Sequence, residues 1–500
     1  METLSPFVGT IWAILPPIIA IGLALITKEV YFSLLLGIFA GAMFWTGGNL
    51  IPALETMFDI MAVKVGDNFN IVIFLVLLGM LVALISKSGA SAAYGKWAAK
   101  SIKTKRGASL ATIALGCLIF VDDYFNCLTV GTVMSPVTDR HNIKRAKLAY
   151  LIDATAAPVC IIAPISSWAA AVSSSLPEGS AIDGFSLFLQ TIPFNLYALL
   201  TLLMLLFVAI GNFDFSRMKA YIEKYENEPE QLTGAAEVST NEKGRVFDLL
   251  IPIISLIVLC VLAMLYTGGF FAGEGIGLIT AFGDCSSALS LVLGGVGALV
   301  ITALLYLPRK VVKFSEFTYA LAEGCRAMVP AILILTFAWT LSGICSADYL
   351  DIGGYVGGVL SEHTSLSFIL PAAFFAISLG LAFATGTSWG TFAILIPIAV
   401  AVFGAGDMLV LSVAATLAGA VCGDHISPIS DTTIMSSTGA CCNHIDHVST
   451  QIPYAMLVAV CCFIGYIVAG ITVNGWIGLA VGAVLLVAIL TVLMKKAKKA

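Results

Sequence analysis

From Ala327 to Met494 this chain contains neither lysine nor arginine. Soluble domains of that length carry basic residues on their surface. A stretch without them, built of apolar runs about 20 residues long, is made for hydrocarbon. One polar run interrupts it, Gly423-Asp424-His425-Ile426-Ser427-Pro428-Ile429-Ser430-Asp431-Thr432-Thr433. Ionisable groups at membrane depth are expensive and mark functional sites. Proline and glycine free backbone groups there, which is tolerated only around a buried or water-lined site. The competing reading is a polar loop between two spans. It is weakened by a second copy of the pattern upstream.

Composition agrees with a polytopic membrane protein: 59% hydrophobic, 11% charged and mean hydropathy +1.01 over 500 residues. A net charge of −5 argues against nucleic acid as a partner. The 12 cysteines lie mostly in apolar segments, without a Cys-x-x-Cys pair, and read as small buried hydrophobes. The N-terminus shows neither a basic region nor a small-residue cleavage site, so its first apolar segment is expected to remain as a span.

Span length and basic flanks give a topology. Expected crossings are 8–27, 30–47, 69–86, 148–175, 190–211, 247–267, 286–307, 329–347, 410–440, 452–472 and 475–494. Basic clusters at 87–106 and 140–147 both belong in the cytoplasm, yet 108–138 between them is apolar. A re-entrant hairpin with its tip at Asp122, Asp123 and Asn126 satisfies both. A second hairpin spans 367–403, with its tip at Thr385, Thr387 and Ser388. The reading is an all-α fold of about 11 transmembrane helices plus two re-entrant hairpins. It places the N-terminus outside and the C-terminus in the cytoplasm, in the inner (plasma) membrane.

A repeat lies inside this scheme. Ala163-Pro164-Ile165-Ser166-Ser167 matches Ser427-Pro428-Ile429-Ser430-Asp431, and the same offset lays the Asp123 tip over the Thr387 tip. The predicted organisation is a first inverted repeat over 1–212, a cytoplasmic linker over 213–246 read as a solvated loop, a second repeat over 247–474, and a last span with a basic tail over 475–500. Inverted repeats with paired broken helices point to a secondary transporter with its site at the midplane.

Dehydrating a small cation requires several hard oxygen ligands, and carboxylates, hydroxyls and freed carbonyls supply them. The cation/proton set is Asp122, Asp123, Asn126, Asp424, Ser427, Ser430, Asp431 and Thr432, with Asp123 and Asp431 as the Na+ pair. A buried carboxylate can hold a cation or a proton, never both, which is sufficient for coupling. Substrate contacts fall on Ser166, Ser167, Trp168, Thr385, Thr387, Ser388, Trp389 and His425. Asp153 is read as a cap or a partner of Lys147, and membrane hydroxyls often bond their own helix carbonyls. Cys441-Cys442-Asn443-His444-Ile445-Asp446-His447 matches no common zinc spacing and reads as a cytoplasmic loop. No phosphate-cradling loop is present, so Na+ and H+, rather than ATP or a cofactor, are the expected coupling agents. The alternative from another class is a membrane-embedded hydrolase using Asp424, His425 and Asp431, which leaves the duplicated breaks unexplained.

The run from Gly423 to Thr433 resembles the signature of the NhaC family of Na+/H+ antiporters. Phe120-Val121-Asp122-Asp123-Tyr124 and Ala163-Pro164-Ile165-Ser166-Ser167-Trp168 resemble its first-half motifs. The resemblance implies an ion-transporter-superfamily fold, paired hairpins and a scaffold that dimerises, hence a homodimer in a lipid bilayer. It leaves the substrate open among Na+ alone, malate- or lactate-like carboxylates, and amino acids, by antiport or symport.

Overall fold

The computed structural model describes residues 6–27, 29–177, 180, 182–226, 230, 241, 243–273, 276–277, 281, 285–352, 355, 364–428 and 430–497. Ile429 of the opening polar run and most of 227–240 in the linker lie outside the described residues. Among the described residues there is no strand, and nine helices are long and apolar enough to cross a membrane.

Local causes account for the difference from eleven expected spans. Helices Leu15–Thr27 and Val30–Trp45 have 13 and 16 residues. The crossing expected over 148–175 is broken into Arg145–Asp153, Ala157–Cys160 and Ser167–Ser173. Conversely, one arm of the second hairpin is long enough to count, over Ser367–Ala384. Pro158 and Pro164 explain the broken crossing: each lacks an N–H, and each disfavours helical backbone at the residue before it.

Both expected hairpins are interrupted where the polar residues fall. Helices Lys105–Leu118 and Asp123–Arg140 flank 119–122. Helices Leu370–Thr385 and Ser388–Phe403 flank a turn at Gly386, whose φ of +68° suits a residue without Cβ. The second broken crossing consists of Asp407–Ile426 and Asp431–Gly439, separated at Pro428.

The first of these is the centre of the molecule, because its whole apolar window is buried. By contrast, Gly475–Ala497 keeps 22% of its window buried and lies at the periphery.

Three segments depart from the sequence reading. Leu50–Asp67, between two expected spans, is a helix that buries Ala53, Met57 and Ile60. The linker is more than a solvated loop: helix Ser216–Lys224 buries Met218 and Tyr221, and Lys144 Nζ donates to the Tyr225 carbonyl at 2.6 Å. The segment read as a loop through His447 turns helical at His444, where Asn443 caps helix His444–Thr472 and His447 is buried. All 12 cysteines are free thiols.

Candidate functional site

The first hairpin's break is held by side chains bonding freed backbone. Asn126 Nδ2 donates to the carbonyls of Gly116, Ile119 and Thr155, at 2.7, 3.0 and 3.0 Å. Its amide is thereby committed to shaping the break. Asp122 and Asp123 are each 3% exposed. Asp123 opens helix Asp123–Arg140, and its Oδ1 accepts the Tyr124 amide at 3.2 Å. The indole of Trp168 approaches the same carboxylate without completing a hydrogen bond.

The broken crossing docks onto this tip. Ser167 N donates to the Val121 carbonyl at 3.0 Å, and Ser167 Oγ lies 3.4 Å from Asp122 Oδ2. Ser166 caps helix Ser167–Ser173, accepting from Ala169 N at 3.1 Å.

The later elements form a similar junction with the roles exchanged. Here the hairpin tip offers the hydroxyl and the broken helix the carboxylate: Ser388 Oγ lies 2.7 Å from Asp424 Oδ2. Asp424 is 5% exposed, and its Oδ1 has no hydrogen-bond partner among the described residues. Ser427 Oγ donates to the Phe383 carbonyl at 2.8 Å, tying the break to the hairpin's first arm. Ser430 caps helix Asp431–Gly439 and lies 2.9 Å from the Thr432 hydroxyl. Thr387 caps helix Ser388–Phe403. Thr385 ends the first arm, and its side chain lies outside what is described.

Close backbone packing joins the two junctions. A Cβ on Gly131 would lie 2.4 Å from the Gly439 carbonyl carbon, so only glycine lets helices Asp123–Arg140 and Asp431–Gly439 approach this closely. Asp123 interacts electrostatically first with its neighbour Asp122 and then with Asp424. Tyr124 bridges outward, its hydroxyl 3.4 Å from Asp431 Oδ2. Asp431 itself is exposed, unlike the other three carboxylates. Trp168 packs edge-on against Trp389 at 6.1 Å, closing an aromatic wall.

Four helices begin at these breaks, at Asp123, Ser167, Ser388 and Asp431. Helix N-termini carry partial positive charge, which favours anionic groups beside them.

His425 is turned away from this cluster. Its Nδ1 lies 2.7 Å from the Tyr197 hydroxyl, and its ring stacks on Tyr150. It faces Asp153, which is neither a cap nor a partner of Lys147. Asp153 instead receives His447 and Gln451, at 3.2 and 2.9 Å, while Lys147 pairs with Asp214. Sequence reasoning placed His447 in a loop and did not single out Gln451 or Tyr197. Tyr197 lies in an apolar run, but His447, Gln451 and Tyr454 recur at helical spacing, a signal that was there to be read. Among the described residues no group of three or more His, Cys, Asp or Glu side chains is placed to hold a metal ion in the manner of a resident metal centre.

A multi-pass helical membrane protein with its carboxylates gathered at interior helix breaks is, in class, a secondary transporter. The family model described as "Na+/H+ antiporter family" matches residues 170–471. An uncharacterised protein of Haemophilus influenzae is 40% identical over 514 aligned residues, covering 99% of this chain and 97% of that one. The chain belongs to the Na+/H+ antiporter family. The malate-2H+/Na+-lactate antiporter of Bacillus subtilis is 30% identical over 167 residues, 32% of this chain and 34% of that protein. The fold is also similar to the YdaH transporter of Alcanivorax borkumensis, with TM-score 0.51, 13% identity, and 86% and 88% of the two chains covered. That family is one of membrane transporters, which sets the hydrolase reading aside.

Proposed function

We propose that the protein exchanges Na+ for H+ by alternating access, with Asp123 and Asp424 as the carboxylates that hold either ion. The observation that carries this reading is the close packing of helices Asp123–Arg140 and Asp431–Gly439, which sets the break bearing buried Asp123 beside the break that follows buried Asp424. Asp122, the hydroxyls of Ser167 and Ser388, and freed carbonyls at the breaks supply further oxygens suited to Na+. Ser166, Thr387, Ser427 and Ser430 shape the breaks. Asp431, linked through Tyr124, sits at the rim as the entry carboxylate. The inverted repeat, the cytoplasmic position of Lys103 and Lys144, the plasma membrane and the homodimer belong to the same reading. They rest on the matching proline motifs, the basic flanks and the family resemblance.

Purified protein in liposomes tests it. A proton gradient alone, without ATP, should drive accumulation of radiolabelled Na+, and Asp424→Asn should reduce it to the level of empty vesicles while the protein stays folded. Uptake indifferent to the proton gradient, or an Asp424→Asn variant with unchanged Na+ dependence, would contradict the proposal.

A second reading is favoured by the four helix N-termini at the breaks: a small carboxylate or amino acid travels with the cation. Helix N-termini can hold a carboxylate without a buried arginine. The Bacillus relative's name points the same way for the third of its length that aligns. A panel of hydroxy and amino acids in the same vesicles separates the readings: stimulation of Na+ flux by one of them favours co-transport.

A further inference from the structure

A second polar cluster is buried beside the carboxylate site, between helices Arg145–Asp153, Asp407–Ile426 and His444–Thr472. Asp153 is 1% exposed. His447 Nε2 lies 3.2 Å from its Oδ2, Gln451 Nε2 donates to the same oxygen at 2.9 Å, and His425 Nε2 faces it from 3.9 Å. Gln451 Nε2 also donates to the His425 carbonyl. Around this one carboxylate, His425 Nε2, His447 Nδ1 and Gln451 Oε1 are buried with no hydrogen-bond partner among the described residues. A network serving packing alone is expected to be satisfied, since each orphaned polar atom costs stability.

The cluster also has a route outward. Lys147, Tyr150 and Asp153 recur at helical spacing and share one helix face. Lys147 Nζ lies 5.4 and 5.1 Å over the rings of Tyr150 and Tyr454, and it pairs with Asp214. The Tyr454 hydroxyl donates to Asp214 at 2.8 Å. Asp214 is 16% exposed at the rim. Asp214 at the rim, Lys147 and the ring of Tyr150 thus lead inward to His425, on which that ring stacks and which faces Asp153.

We propose that Asp153 and His447 form a proton-binding site separate from the cation carboxylates, and that Gln451 passes its charge state to the helix bearing Asp424. The proposal rests on the exchange reading above. A proton taken up at Asp153, on which His447 and Gln451 converge, removes one negative charge. The amide of Gln451 is then held less firmly on Asp153 and rebalances toward the His425 carbonyl, at the end of helix Asp407–Ile426. Other groups facing the pair also set its charge. They are His425 and Asp424 on that helix, Cys127 on Asp123–Arg140, Tyr454 on His444–Thr472, Lys105 on Lys105–Leu118 beside Lys147, and Lys147 and Tyr150 on its own helix.

The test uses full-length protein in liposomes, with Asp153→Asn and with His447→Gln, which keeps an amide donor toward Asp153. Initial Na+ flux should shift its pH midpoint by about one unit or more in each variant. The Na+ concentration for half-maximal flux should stay within about twofold of wild type, a difference well under 1.4 kcal/mol. Flux lowered equally at every pH would assign the cluster a structural role and overturn the proposal. Acid-minus-neutral infrared difference spectra of purified protein read the site without transport. A carboxyl or imidazole band lost in the corresponding variant supports it, and identical spectra in both variants overturn it. If wild-type protein moves no Na+, the exchange reading fails while the infrared bands still decide the proton site.

Discussion

Ser388 donates to one oxygen of Asp424 and leaves the other without a partner. That arrangement holds the carboxylate in place and keeps a ligand position open. Hydrogen bonds to charged groups contribute about 1.5–3 kcal/mol, so Ser388→Ala should raise the half-saturating Na+ concentration roughly tenfold or more. Ser388→Thr, which keeps the hydroxyl, should recover most of it. Saturation curves of Na+ flux for the two variants check this, and equal curves for Ala and wild type would contradict it. Asp122, Asp123 and Asp424 were legible in the sequence because charge inside apolar runs demands an explanation. Asp153 and His447 were visible too, but were given other roles. Asp153 has basic residues upstream that offered an easy partner, and His447 follows a polar segment that looks like a loop.

At the scale of elements, proline and serine punctuate the chain where the helices break. Both broken crossings carry a proline followed two residues later by a capping serine, Ser166 or Ser430. This was readable from local chemistry alone. The contact between helices Asp123–Arg140 and Asp431–Gly439 was not, since glycines are common in membrane helices and nothing in sequence pairs Gly131 with Gly439. Overpacking costs about 1–3 kcal/mol where the neighbour cannot yield, and here the neighbour is backbone. Gly131→Ala should therefore lower the thermal midpoint and cut Na+ flux, whereas Ala at exposed Gly380, with nothing within 4 Å of its Cβ, should leave both near wild type. Fluorescence-detected melting beside flux measures the pair of effects. Helix Leu50–Asp67 escaped the sequence reading because its charged residues hide its single buried stripe.

The whole molecule places its buried central helix, Asp407–Ile426, against both arms of the second hairpin with Asp424 near its end, while Asp431–Gly439 just beyond it packs on Asp123–Arg140 of the first. Hydropathy made the membrane fold legible. It could not say which helices are too short or too broken to span, because packing decides that. Asp123 and Asp424, far apart in sequence, are proposed to serve one ion. Binding of radiolabelled Na+ to the purified protein tests this without requiring transport. Asp123→Asn, Asp424→Asn and the double variant form a cycle in which residues sharing one ion are non-additive. Either single change should weaken binding nearly as much as both together. Additive losses, or full Na+ affinity in either single variant, would show that the two carboxylates do not share an ion.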